Sequence, residues 1–165
     1  MKNKPLFPNF VQPPRPNRAL VNISTMKESK YFKLEELLKS DTALAGQIEN
    51  LPSWADVENL QELATLVLDP IRQAWGQPLL VTSGFRSPQL NVAVGGVPTS
   101  AHMEGCAVDI IIPHWSTRKV SELYNLIQEM VERGDIDIDQ VIYYRKKRMI
   151  HISNDLPSRK QFIVK

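Results

Sequence analysis

The chain has 165 residues, 42% of them hydrophobic, which suffices for one packed domain and falls short of two ordinary ones. Its 20 lysines and arginines nearly cancel 18 acidic residues, so the charge balance makes no case for a nucleic-acid partner. A single cysteine, Cys106, excludes an internal disulfide, and the apolar runs are too short for membrane insertion.

The segment Met1 to Arg18 is rich in Lys, Pro and Asn and has no apolar centre, so it does not read as a secretory signal. The expectation is a product that is cytoplasmic as synthesised. Pro5, Pro8, Pro13, Pro14 and Pro16 deny the backbone helical hydrogen bonds, which predicts an extended arm over residues 1–24 and a folded domain over 25–165.

Phe32, Leu34, Leu37 and Leu38 recur at roughly helical spacing and predict a short helix before Asp41. A longer helix is expected from Ser53 to Trp75, with Ser53 and Asp56 as a capping box, Gly76 as the stop and Pro70 kinking or dividing it. Leu79–Thr82 read as a buried strand. Ser87 and Pro88 are an N-cap and first position for a helix through Val94, ended by Gly95 and Gly96. Ala107–Ile112 read as a central strand between Gly105 and Pro113.

Val120, Leu123, Leu126, Ile127, Met130 and Val131 mark a second amphipathic helix closed by Gly134. Gln140–Tyr144 and Met149–Ser153 then form a hairpin about the charged tip Arg145–Arg148, and Gln161–Val164 can add an edge strand. Helices mixed with hairpin-linked strands predict an α+β domain, a small antiparallel sheet flanked by helices.

Only three histidines are present, His102, His114 and His151, so few His-based metal sites can be built. A catalytic zinc takes three ligands from His, Asp, Glu or Cys and keeps a fourth position for water. His102, Asp109 and His151 can supply them from a small-residue loop, the next strand and a late strand, with Ser153 on the same face as His151. Each also has a plainer reading: the histidines as ordinary hydrogen-bonding residues, Asp109 as a buried acid paired with Arg86. Cys106, at the start of an apolar strand, reads as packing.

Three segments carry further meaning: Ser83-Gly84-Phe85-Arg86-Ser87, the run from Ser100-Ala101-His102 to Gly105-Cys106-Ala107-Val108-Asp109, and Ile150-His151-Ile152-Ser153. In order and spacing they resemble the zinc D-alanyl-D-alanine carboxypeptidase family, which includes phage endolysins and shares its fold with the hedgehog signalling domain. The resemblance runs from about Tyr31 to the end. It implies a hedgehog/DD-peptidase-like fold and a Zn2+ cofactor held by His102, Asp109 and His151. It also implies that Arg86 acts on substrate in catalysis and that Ser100 and Ser153 contact substrate. The implied partner is a peptidoglycan stem peptide, cut by a monomer that reaches the cell wall by a phage-type route.

Active relatives place a general base three residues before the last histidine, as an acid, or two before it, as a histidine. Arg148 and Met149 stand there, and neither takes a proton from zinc-bound water. Glu104, Asp139 and His114 are the remaining candidates. The alternative is a non-catalytic module that binds zinc or a cell-wall peptide, or serves phage assembly, without cutting.

Overall fold

The computed structural model describes residues 28–114 and 117–165. The expected arm over residues 1–24 lies outside them. Asp69 anchors the start of the described chain by accepting from Ser29 Oγ at 2.7 Å, Lys30 N at 2.8 Å and Tyr31 N at 3.2 Å.

The expected short helix is α1 (Leu34–Leu38), and a second, α2 (Asp41–Gly46), follows it where none was predicted. Ser40 caps α2 through its side chain. The long helical run begins with α3 (Trp54–Leu63) behind the predicted Ser53–Asp56 capping box, both halves of which are formed. It then widens into a π-helical turn, Ala64–Leu68, before α4 (Asp69–Trp75), which Gly76 ends. Pro70 explains the division: its ring and missing N–H break the α pattern one turn back, and Asp69 N reaches five residues to Ala64 O. Ser87 caps α5 (Pro88–Ala93) as predicted, and the second amphipathic helix is α6 (Thr117–Arg133).

Five strands, β1 (Leu80–Ser83), β2 (Ala107–Ile111), β4 (Met149–Ser153), β3 (Gln140–Tyr144) and β5 (Gln161–Val164), lie side by side in that order. The domain is α+β. All pairings are antiparallel except β3 with β5, because the chain leaving β4 crosses to the far side of β3 and runs alongside it. The predicted hairpin and the last edge strand are therefore present.

Leu79–Thr82 is not a buried strand. β1 sits at the sheet edge with a single strand partner, and Leu80 is 48% exposed while Leu79 packs inward. A short edge strand covered on one face hides only alternate side chains.

The sheet has one apolar face and one chemical face. Val108, Ile110, Val141, Tyr143, Ile150 and Ile152 join Leu123, Ile127 and Met130 of α6 and Leu60, Leu63 and Ile71 of the long helical run in one core. Fully burying each such side chain contributes roughly 1.5–3 kcal/mol. Strand alternation leaves Ala107, Asp109, Met149, His151 and Ser153 on the opposite face.

Candidate metal centre

Register brings two of the three predicted ligands together: Asp109 on β2 pairs directly with His151 on β4. Ser83, at the end of β1, pairs with Asp109 from the other side. The third, His102, arrives on a 3-10 turn, Ala101–Glu104, that lies against β2 and is closed by Gly105. Gly105 has φ 69°, and a Cβ there would strike the Asp56 carbonyl, so glycine is needed both for the turn and for its approach to α3.

The segment Ser83–Ser87 builds the rest of the site. Gly84 packs so closely on α1 that a Cβ would collide with the Leu37 carbonyl, and the same carbonyl accepts from Phe85 N at 2.9 Å. Phe85 enters the core. Gly84 O lies 2.7 Å from His102 Nδ1, and Arg86 N donates to His102 O at 3.0 Å, so this loop clamps the histidine at ring and backbone. Ser83 Oγ accepts from Arg86 Nε at 2.8 Å, which aims the guanidinium at Asp109 Oδ2, 2.6 Å away.

Three atoms converge in the middle. His151 Nδ1 lies 2.9 Å from Asp109 Oδ1, His102 Nε2 lies 3.3 Å from the same oxygen, and the two nitrogens are 3.3 Å apart. A tetrahedral zinc with bonds of ~2.0–2.1 Å sets its donor atoms about 3.3 Å apart, so the triangle has the size the ion requires.

Proton counting points the same way. A carbonyl only accepts, so His102 Nδ1 carries the proton it gives to Gly84 O, and Nε2 presents a lone pair. Burial pushes the His102 pKa down, against the pull of Asp109, which keeps the ring neutral. Burial alone would raise the Asp109 carboxyl, but the imidazoles packed against it hold it well below the usual carboxylate range. An ionised oxygen and an unprotonated nitrogen facing each other leave a surplus of electron pairs that a cation resolves. The carbonyl behind His102 is also the kind of outer partner that fixes a ligand's tautomer.

Arg86 is thus the ion-pair partner of Asp109, as its plainer reading had it, while Asp109 Oδ1 remains turned to the histidines. Ser153 is buried on the site face beside His151, and Ser100 is buried at the start of the His102 turn. Cys106 is fully buried and takes no place among the three clustered ligands. His114 is exposed beyond β2. Asp139 is committed elsewhere: Arg159 grips it with Nε at 2.7 Å, Nη2 at 2.6 Å and its backbone N at 3.1 Å. The sequence reading missed Gly84 O and Ser83 Oγ as supports, since a backbone carbonyl leaves no trace in residue type.

Among the described residues, two imidazoles and one carboxylate, braced by a carbonyl and a guanidinium, form a ligand set suited to a single divalent metal ion. The family model for Peptidase M15 matches residues 30–153, most of the chain and the whole of this site, and the chain belongs to that family. Peptidases of this family are zinc-dependent metallopeptidases. No curated protein matches the chain.

Proposed function

We propose that this chain is a zinc metallopeptidase that hydrolyses D-alanine-containing peptide bonds in peptidoglycan stem peptides. The observation that carries the reading is the triangle of His102 Nε2, Asp109 Oδ1 and His151 Nδ1, sized for one zinc and held within a peptidase family. Bound zinc supplies a water of pKa about 7 and polarises the scissile carbonyl. The protein's share is placement: Gly84 O and Arg86 N fix His102, and Arg86 holds Asp109 so that one carboxylate oxygen faces the histidines. The Arg86 guanidinium also attracts the terminal carboxylate of a peptide, and Ser100 and Ser153 serve as substrate contacts. A monomer made in the cytoplasm and released to the wall by a phage-type route completes the proposal.

Zinc-loaded protein incubated with purified peptidoglycan should release fragments with new amine termini, read by mass spectrometry. Free D-alanine marks terminal trimming, and shortened cross-links or stems mark internal cleavage. No new termini at any pH would overturn the hydrolytic reading.

A second reading keeps the metal and drops the chemistry: a zinc-containing module that binds cell-wall peptide or serves in phage assembly. Two observations favour it. Arg148 and Met149 occupy the positions where active relatives carry a base, and Asp139 is locked by Arg159. The same digestion separates the two readings.

A further inference from the structure

Arg86 spends Nε on Ser83 and Nη2 on Asp109, so two of its five N–H donors serve the protein itself. Peptide hydrolysis also calls for a donor on the open side of the site, where negative charge builds on the carbonyl oxygen. The sheet offers one candidate on the same face.

β3 pairs with β4 so that Ile142 lies opposite His151 and Tyr144 opposite Met149. Alternation then sends Val141 and Tyr143 into the core and sets Ile142 and Tyr144 on the face that carries His151 and Asp109. Tyr144 is half-buried, held in place yet reachable from solvent. Asp109 belongs to β2, with β4 running between, and Tyr144 shares that face of the sheet with it. With strands ~4.8 Å apart, β2 and β3 are roughly 10 Å from each other, and Tyr144 stands one strand over and two residues along from His151 on the same face. Lys147 from the hairpin tip and Lys165 from the end of β5 place ammonium groups 5.4 Å and 5.9 Å from the ring centre and steady the ring.

We propose that Tyr144 contacts substrate, its hydroxyl donating a hydrogen bond to the carbonyl oxygen of the peptide bond held at the His102–Asp109–His151 cluster. The proposal rests on the peptide-hydrolysing reading of that site. Burial and the nearby Asp109 charge raise the phenol's pKa, against the pull of Arg86, so the hydroxyl keeps its proton at neutral pH and acts as a donor and not as a base. Tyr144 therefore complements the two histidines and Asp109, which present electron pairs, with the opposite kind of group.

The test uses full-length zinc-loaded protein and a phosphinate analogue of D-Ala-D-Ala, whose tetrahedral anionic oxygens mimic the charged carbonyl. Tyr144→Phe keeps the ring and its lysine contacts and removes only the hydroxyl. Zinc content and melting temperature should match the wild type, while phosphinate affinity, measured by calorimetry, falls roughly tenfold to a hundredfold. With a peptide ending in D-Ala-D-Ala, kcat should fall by a similar factor and KM stay near its wild-type value. Unchanged phosphinate affinity and kcat in the variant, or a wild type that does not bind the phosphinate, would overturn the proposal. A wild type that binds the phosphinate through Tyr144 but cuts no peptide would uphold the contact and overturn hydrolysis.

Discussion

Asp109 and Asp139 begin alike: both are buried, one within β2 and the other just before β3, and each takes an arginine Nη2 at 2.6 Å on Oδ2. They end differently. Among the described residues, Asp139 receives three donors from Arg159, two from the side chain and one from the backbone, and its charge is answered within the protein. Asp109 receives Arg86 on Oδ2, while Oδ1 faces two histidine nitrogens, one of which has no proton to give because His102 spends it on Gly84 O. A carboxylate whose lone pairs are all met is a strut. One placed among unmet electron pairs is a binding site, and this difference separates metal centre from scaffold more cleanly than burial does.

The largest effect should come from breaking the first carboxylate. Asp109→Asn removes the charge that the metal and Arg86 share, so zinc content by elemental analysis should fall from about one per chain to almost none. The substitution also takes from Arg86, whose side chain is 15% exposed, its anion; breaking a fully buried pair costs about 3–5 kcal/mol, and this partly exposed one should cost less. Melting temperature should drop with it. Zinc retained at the wild-type level would mean that Asp109 serves the fold alone.

Asp139→Asn sharpens the contrast by a smaller step: the melting temperature falls less than in Asp109→Asn, and zinc content stays at the wild-type level. Its pH dependence follows from the sign of the shift. Hydrogen bonds from Arg159 outweigh burial and hold the Asp139 carboxyl below its ordinary value. A carboxyl depressed in the folded state contributes stability that is full above the unfolded pKa of about 3.9 and is lost as pH falls through the folded value. The difference in melting temperature between wild type and Asp139→Asn should therefore be widest above about pH 5 and shrink as pH drops below about 4. A difference that grows in acid would contradict the role assigned to Arg159.

Much of this architecture is legible in the residue order, for local reasons. Ser53 with Asp56, Ser87 with Pro88, and Gly76 mark helix ends because caps act within a few residues. The alternation in Met149–Ser153 reports which side chains share a face, which is why His151 and Ser153 are assigned together before any pairing is known. Strand order is less accessible. That Leu79–Thr82 ends at an edge and that β5 runs parallel to β3 depend on where the chain crosses, which alternation does not encode.

The metal site divides along the same line. His102, Asp109 and His151 stand out because their residue types are scarce or chemically distinct, and because three separated motifs agree. Their supports do not. Gly84 enters the sequence reading only as one member of the Ser83–Ser87 motif, yet it works through its carbonyl and through the absence of a Cβ against Leu37. Arg159 is one exposed-looking cation among twenty basic residues, and its bond to Asp139 spans twenty positions. Tyr144 reads as the end of a strand until the register with β4 puts it on the face that carries His151 and Asp109.

The central claim is that this sheet face was built for one zinc ion. Elemental analysis of the folded wild-type protein beside His102→Ala tests it most directly, since His102 contributes the unprotonated nitrogen and only 2% of its surface is exposed. The account predicts about one zinc per wild-type chain and essentially none in the variant, with His102→Ala still folded by circular dichroism. A folded wild type that takes up no zinc when the metal is supplied would contradict it.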